Sequence, residues 1–409
     1  MKRNVRYALL VCASLIFNFQ FSIFNSAEAQ SRFSLSGFVN PHYYADSRSV
    51  VGGREDMMLF YPKPVVLDSL GRDINDGWQA DMLAITARLG LRVNGPEMLG
   101  AKSFAYVEGD FTGATNATIN NLRLRHAYFN LDWGNHRLLA GQYWHPMVVH
   151  EIMPMTNPLN MGAPFHPYSR QPQVRYEFRA SKLEAVAVAV WQLDNMSQGL
   201  LDGIPTSSTQ FARHSLVPEL NAQLRYHSQR WLLGVALNVK TIQPRVPDPA
   251  GELYSSPTAS LFGSYSGSHI NIKTQMLLHN TLYEIASMGG YTLYHNTRTD
   301  HWFTIDEVFN TLWLDIERSH GHWRPGLFLG AGANMTPSYN LAEPENLKRY
   351  EFGRAHEIGA LWRVQPRLTY TTLNGLSFTA EAEYTQAHYK GTGDGVGNLR
   401  LSLSAVYAF

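Results

Sequence analysis

Strict alternation of apolar and polar residues recurs along most of the chain, and it is the feature that most limits the possible fold. From Met82 to Val93, for example, leucine, isoleucine and alanine alternate with threonine, glycine and two arginines. The same period of two returns in 102–110, 221–227 and 377–385. A helix would need a period near 3.6 residues, so these segments are predicted to be β-strands with one apolar and one polar face. Segments of ten or more residues match a membrane barrel better than a soluble sandwich.

The number and spacing of these segments predict the fold class. We count sixteen of them, at 33–45, 81–93, 101–112, 121–132, 136–145, 173–180, 182–192, 219–228, 230–240, 258–266, 268–282, 306–319, 321–333, 356–370, 375–388 and 397–409. Long gaps follow the odd-numbered segments and short gaps follow the even-numbered ones, as in outer-membrane barrels. We therefore predict an all-β protein: a sixteen-stranded antiparallel transmembrane β-barrel with short periplasmic turns, long outer loops and both termini on the periplasmic side. The segment Gly290 to His295 is either an additional strand or part of a loop.

The first residues have the pattern of a secretory signal peptide. Lys2, Arg3 and Arg6 precede an uncharged stretch that ends in Ala-Glu-Ala at 27–29, which is the usual arrangement of such a signal. An uncleaved membrane anchor is the alternative. We expect cleavage after Ala29, so that residues 1–29 are the signal peptide and 30–409 form the barrel. The only cysteine, Cys12, would be removed with the signal.

The chain end and the composition agree with export to the outer membrane. The last segment alternates up to Phe409, and a terminal aromatic residue resembles the final strand of outer-membrane barrels. Charged residues make up 16% of the chain, compared with about 25% in soluble domains, and the mean hydropathy is −0.23. Such a composition is typical of a barrel wall with one apolar face and one water-exposed face. A net charge of +1 gives no reason to expect a nucleic-acid partner.

Several short runs resemble one family. Glu-Gly-Asp-Phe at 108–111 and Arg-Leu-Arg-His-Ala-Tyr at 123–128, together with the runs 89–92 and 139–144, resemble trimeric porins of the DcaP type. The resemblance implies a sixteen-stranded trimeric channel in the cell outer membrane, surrounded by lipid, with a long connection folded toward the pore. It also implies a heat-modifiable homotrimer. It does not identify the solute.

Charged residues on the polar faces of three neighbouring segments are candidates for the pore lining. Arginines on the second and fourth segments flank two carboxylates on the third, and an arginine at a lipid-facing position would cost roughly 2–4 kcal/mol. We place Tyr128 on the opposite, apolar face together with Leu122 and Leu124. A purely structural charge ladder is the alternative. The predicted pore-lining residues are Arg88, Arg92, Glu108, Asp110, Arg123, Arg125 and, from the next long loop, Arg170.

Further polar-face positions carry more positive than negative charge. The arginines are Arg175, Arg179, Arg225, Arg363, Arg367 and Arg400; the glutamates are Glu177, Glu357, Glu381 and Glu383. Rings of arginine favour anions in pores. We therefore expect a moderate preference for anions rather than exclusion of cations.

The gap 146–172 contains six prolines, which restrict its backbone without forming a strand or helix. It is either an ordinary outer loop or a constriction inside the barrel, and the family resemblance favours the constriction. His145, His150 and Glu151 lie at its start, but their spacing matches no metal-binding motif. We predict neither a metal site nor a cofactor.

Three functions compete at this point. A sixteen-stranded barrel leaves room for an aqueous channel, which favours passive diffusion of small hydrophilic or anionic solutes and argues against an enzyme. An outer-membrane hydrolase is the second possibility, although no Gly-x-Ser-x-Gly run is present. The third is an adhesin or surface scaffold that uses the long loop 46–80. Conductance in planar bilayers separates them.

Overall fold

The structure is a computed structural model, and most of the predicted barrel domain is described. The described residues are 32–157, 161–193, 195–336, 346–391 and 395–409. The predicted signal peptide and Pro158 of the proline-rich gap lie outside them.

Sixteen antiparallel strands form one closed barrel, in which each strand pairs with its neighbours in chain order and the last strand pairs with the first. The strands are β1 (Phe33–Val39 and His42–Arg48), β2 (Asp76–Leu83 and Arg88–Asn94), β3 (Lys102–Asp110), β4 (Arg123–Asp132), β5 (His136–Trp144), β6 (Arg170–Ala180), β7 (Leu183–Val190), β8 (Glu219–His227), β9 (Trp231–Ile242), β10 (Tyr254–Ser266), β11 (Ile270–Leu278), β12 (Phe309–Arg318), β13 (Trp323–Asn334), β14 (Ile358–Thr371), β15 (Leu376–Tyr389) and β16 (Gly395–Ala408). The predicted fold class and strand number are confirmed.

The wall has the two faces that the alternation predicts. On β8 and β9, Leu224 and Leu233 are 52% and 47% exposed on the outer face, whereas Gln223 and Arg225 are 5% and 2% exposed on the inner face. Apolar side chains outside and polar side chains inside are the arrangement of a barrel that sits in lipid.

The first two strands are each interrupted. β1 breaks at Asn40–Pro41, where proline cannot donate a ladder hydrogen bond. β2 breaks between Leu83 and Arg88, and there Ile85 turns inward and is 4% exposed. The lower half of β2, Arg88–Asn94, pairs with β1 and β3. The upper half, Asp76–Leu83, pairs with β1 and with no other strand of the described residues.

The outer loops contain structure of their own. Gly289–Asn296 forms a three-stranded sheet with His301–Glu307 and Leu347–Arg354. The ambiguous segment 290–295 therefore belongs to an outer loop and is not an additional barrel strand. A second small sheet joins Gln198–Leu201, Ile204–Ser207 and Arg245–Val246. Among the described residues, no helix has the length and apolar character required to cross a membrane.

Two loops fill much of the barrel interior. The first outer loop contains a hairpin, Val50–Gly53 paired with Met58–Pro62, which we call the loop 1 hairpin. The proline-rich connection 145–169 is the second. Met57 and Phe165, one from each, are 0% exposed and belong to one apolar cluster inside the barrel. The interior that the strand number alone suggested would hold water is thus largely occupied by protein.

Gly141 in β5 has a backbone that other residues rarely adopt. Its φ is +128°, and a Cβ there would lie 2.2 Å from the carbonyl oxygen of Ala127. We expect Gly141→Ala to lower the free energy of unfolding by more than the about 1–3 kcal/mol of backbone strain alone. Gly134→Ala is the matched control, because Gly134 has φ +89° with open space around it. Guanidinium unfolding in detergent compares the two, and equal losses would contradict the steric explanation.

Candidate functional site

The loop 1 hairpin is held against the inner wall by two buried arginines. Arg363 Nη2 donates to the carbonyl oxygen of Leu59 at 3.1 Å, and Arg400 Nη1 donates to that of Met57 at 3.1 Å. Both arginines also form ion pairs within the wall. Charge-assisted bonds to backbone oxygens fix the hairpin without depending on its side chains.

The described parts of the connection, 145–157 and 161–169, lie inside the barrel. Gln223 of β8 donates to the carbonyl oxygen of Pro146 at 2.8 Å, and Gln275 of β11 donates to that of Met147 at 3.1 Å. Near its middle, the backbone N–H of Asn157 donates to a carboxylate of β15 at 3.0 Å. Contacts with β8, β11 and β15 show that this loop lies inside the barrel and not above it.

A cavity of ≈ 210 Å³ remains between these loops and the wall formed by β4 and β6. Among the described residues, its lining includes four arginines and no carboxylate. The polar side chains that line it include Arg54 from the loop 1 hairpin, Arg123 from β4, Arg170 from β6, Arg354 from the outer-loop sheet, Tyr168 and Asn195.

Behind the cavity lies a buried ion network. Arg125 is 0% exposed, and its Nε and Nη1 lie 2.5 Å from Glu108 and 2.7 Å from Asp110. Arg123 also pairs with Asp110, at 2.9 Å. The two carboxylates therefore hold Arg123 and Arg125 in fixed positions.

A bulge between β3 and β4 explains how Arg125 becomes buried. Glu108 pairs with His126 and Gly109 with Leu124, so Arg125 is the additional residue between them. A bulge reverses the side-chain alternation beyond it. Our assignment of Tyr128 to the outer face is therefore wrong: its ring packs on those of Tyr106 and Tyr143, with centroids 5.8 and 5.0 Å away.

The pKa of Tyr168 reflects the positive charge around its hydroxyl group. Its hydroxyl accepts hydrogen bonds from Arg125 Nη1 at 3.3 Å and Arg170 Nη1 at 3.2 Å. Burial alone would raise the pKa of Tyr168, but Arg170, Arg125 and neighbouring arginines outweigh it and lower that pKa to about 6. The field here thus favours negative charge.

The predicted pore-lining residues do not all lie in one cluster. Arg88 lies near the network, with Nε 3.6 Å from Glu108 Oε1. Arg92 is separate: its guanidinium lies 3.5 Å from the centre of the Phe104 ring, and it donates to Asn94. The set brought together is Arg88, Glu108, Asp110, Arg123, Arg125 and Arg170.

Two arginines of the cavity were missed. Arg54 and Arg354 come from outer loops, where alternation gives no inward or outward direction. Gly52 and Gly53 before Arg54 signal only a turn. The apolar run 57–61 was the available signal, because such a run is unusual in an exposed loop.

Most other inward arginines have close acidic partners. Arg367 lies 2.7 Å from Asp315, and Arg363 lies 3.0 Å from Glu383. The excess positive charge is therefore concentrated at the cavity. His145 is hydrogen-bonded to Glu219, and the part of the chain that the structure describes contains no group of three or more His, Cys, Asp or Glu side chains placed to hold a metal ion.

Solved structures resemble the barrel over nearly its whole length. The outer membrane channel DcaP of Acinetobacter baumannii has a TM-score of 0.65 and 18% identity, over 92% of this chain and 97% of that chain. An anion-selective porin from Comamonas acidovorans has a TM-score of 0.54 and 10% identity, over 92% and 99%. In vitro folded OmpT of Vibrio cholerae, in its trimer form, has a TM-score of 0.51 and 9% identity, over 92% and 99%.

No protein-family model and no curated protein matches the sequence. At these identities the structural likeness establishes the architecture. An outer-membrane location is consistent with it. The chain has the closed sixteen-stranded barrel fold of outer-membrane porins and channels.

Proposed function

We propose that this protein is an outer-membrane channel for passive diffusion of small hydrophilic solutes, with a moderate preference for anions. The observation that carries the proposal is the cavity between the two interior loops, because four arginines line it and no carboxylate of the described residues does. A guanidinium group stays charged at any physiological pH and binds carboxylates through two parallel hydrogen bonds. Small anions would meet these donors in fixed geometry.

The interior loops supply the constriction in this proposal. The connection 145–169 and the loop 1 hairpin narrow the passage at the level of Arg123 and Arg170, so a solute passes close to the charges. Glu108 and Asp110 neutralise part of the field from behind, which limits the preference to a moderate one. Arg88 and Arg125 contribute to the field without lining the cavity.

The assembly and export of the protein belong to the same proposal. We propose a homotrimer embedded in outer-membrane lipid after removal of residues 1–29. The solved barrels of this fold support the oligomer, since one of them is described as a trimer form. The anion-selective porin with the same architecture supports the charge preference.

Replacing Arg54 and Arg354 together with glutamine tests the selectivity. Both guanidinium groups line the cavity, so the substitutions remove two of its four positive charges. We expect the chloride-to-potassium permeability ratio, measured from reversal potentials in asymmetric KCl, to fall from a few-fold to about one.

Arg72→Gln is the control for this double variant, because Arg72 lies in the outer part of loop 1 with a side chain 73% exposed. It should keep the wild-type ratio. A wild-type channel that prefers cations, or a double variant with unchanged selectivity, would refute the role of the cavity.

A further inference from the structure

The hydroxyl group of Tyr168 lies among arginines at the cavity. Tyr168 stands near the end of the connection 145–169, is 5% exposed, and belongs to the cavity lining. The hydroxyl makes hydrogen bonds with Arg125 and Arg170 among the described residues, and in both of them the tyrosine oxygen is the acceptor. Donors of this kind stabilise the phenolate, because a hydrogen bond to the charged form of a group favours that form.

The elements packed around this hydroxyl supply more positive than negative charge. The arginines are Arg54 of the loop 1 hairpin, Arg88 of β2, Arg123 and Arg125 of β4, Arg170 of β6 and Arg354 of the outer-loop sheet. The nearest carboxylates, Glu108 and Asp110 of β3, already form ion pairs with arginines of this group. A turn that accepts from the Tyr168 N–H through the Ile285 carbonyl adds Glu284, which is paired with Lys240. The surroundings therefore favour a negative charge on the tyrosine oxygen.

Histidines near this hydroxyl ordinarily change charge between pH 5 and 8 as well. The rings of His126 and His150 lie 5.3 and 6.4 Å from the Trp144 ring, which packs on the Tyr168 ring at 5.4 Å. His145 also adjoins the connection, and its ring is hydrogen-bonded to Glu219. Loss of a histidine proton and formation of a phenolate both make the region less positive as the pH rises. A test of Tyr168 must separate these two effects.

We propose that Tyr168 is a specificity-determining residue of the channel: as a phenolate it is a fixed anion that occupies the cavity arginines and weakens the preference for anionic solutes. This rests on the proposed anion-preferring channel and deepens it. An arginine that already holds a fixed anion attracts a passing anion less strongly, because the two negative charges repel each other. The moderate character of the preference then has a second source beside Glu108 and Asp110.

The sign of the pH dependence follows from the acid–base chemistry of a phenol. Burial opposes ionisation of Tyr168, but Arg170, Arg125 and the neighbouring arginines outweigh it and lower the pKa to about 6. Below that pH the hydroxyl is neutral and the cavity keeps its full positive charge. Above it the phenolate cancels one unit of that charge. The preference for anions should therefore be stronger at pH 5 than at pH 8.

Tyr168→Phe removes the ionisable oxygen and keeps the ring, over which the Arg170 guanidinium lies at 5.0 Å. Arg125 keeps its ion pairs with Glu108 and Asp110, so the barrel should fold, as checked by the heat-induced shift in gel mobility. Reversal potentials in asymmetric KCl give the chloride-to-potassium permeability ratio. At pH 8 this ratio should be about twofold higher in the variant than in the wild type, and at pH 5 the two should agree.

Tyr291→Phe is the matched control. Tyr291 lies in the outer-loop sheet, is 1% exposed, and donates its hydroxyl proton to the carbonyl oxygen of Gln198 at 2.7 Å. Burial and the nearby Glu284 carboxylate raise the pKa of Tyr291, so it stays neutral up to pH 8. This variant should keep the wild-type permeability ratio at both pH values.

Near-ultraviolet absorbance detects the phenolate directly and does not depend on conductance. The chain has 21 tyrosines, and an ordinary tyrosine ionises only near pH 10. A phenolate band that grows between pH 5 and 7 in the wild type, and is missing in Tyr168→Phe, is the expected result. The wild-type spectrum alone shows whether any tyrosine ionises in this range, even without the variant.

Two results would overturn the role of Tyr168. One is a wild-type spectrum without a phenolate band below pH 8. The other is a Tyr168→Phe channel that keeps the whole wild-type pH dependence, as titration of histidines would produce. A permeability ratio below one at both pH values would instead refute the proposed anion preference, and the phenolate band and the ratio of variant to wild type would still decide the role of Tyr168.

Discussion

Replacing residues 50–62 with a two-glycine turn should raise single-channel conductance roughly threefold or more, because it removes the loop 1 hairpin from the interior. The hairpin contributes fully buried side chains such as Met57 and Leu59 to the space inside the wall. The replacement is geometrically mild, since the N–H of Lys63 already donates to the carbonyl oxygen of Ser49 at 2.9 Å. Planar-bilayer recording provides the measurement.

The barrel should survive this deletion. Arg363 and Arg400 lose their backbone acceptors but keep their ion pairs with Glu383 and Asp46, and entering water can solvate the remaining N–H groups. Removing residues 69–71, an exposed turn in the first outer loop, is the control, and it should leave the conductance of each pore unchanged. Unchanged conductance after removal of the hairpin itself would mean that it does not limit flow.

Arg125→Met should lower the free energy of unfolding by about 3–5 kcal/mol, the usual loss when one partner of a buried ion pair is removed. The substitution leaves Glu108 without its 2.5 Å partner and leaves Arg123 as the one ion-pair partner of Asp110 among the described residues. Guanidinium unfolding of the barrel in bilayers measures the change.

Arg137→Met is the matched control, because Arg137 pairs with Glu177 at 2.9 Å but its side chain is 44% exposed. An exposed pair of this kind contributes about 0–1 kcal/mol. Comparable losses of unfolding free energy for the two variants would show that burial does not make the Arg125 ion pairs more important for stability than exposed ones. Replacing Arg123 and Arg125 together would confound selectivity with folding, so replacing Arg54 and Arg354 is the better test of selectivity.

The barrel itself was predictable from the sequence. In a wall between lipid and a polar interior, successive side chains must alternate between apolar and polar. Segments such as β9 and β16 show this alternation as a period of two. The predicted span 230–240 and the observed Trp231–Ile242 differ by only a few residues. The prediction of a closed sixteen-stranded barrel followed because sixteen alternating segments were counted along the chain.

The candidate site was predictable only in part. Alternation correctly placed Arg123 on the inner face, but the bulge at Arg125 inverted the assignment of Tyr128. One additional residue in a strand leaves no mark in composition, because its effect depends on the register with the neighbouring strand. Sequence periodicity alone does not show at which residue a bulge interrupts that register.

The contents of the barrel were decided by tertiary structure. Arg54 and Arg354 lie far apart in the chain, on loops without periodicity, and meet at the cavity only because the loop 1 hairpin folds inward. The free edge of β2 likewise exists only because β3 pairs with the lower half of that strand. Alternation alone was enough to specify the two-faced wall, since every strand must place apolar side chains toward lipid and polar side chains toward the interior. Which loops enter the barrel, and which edge stays open, depended on contacts between distant segments.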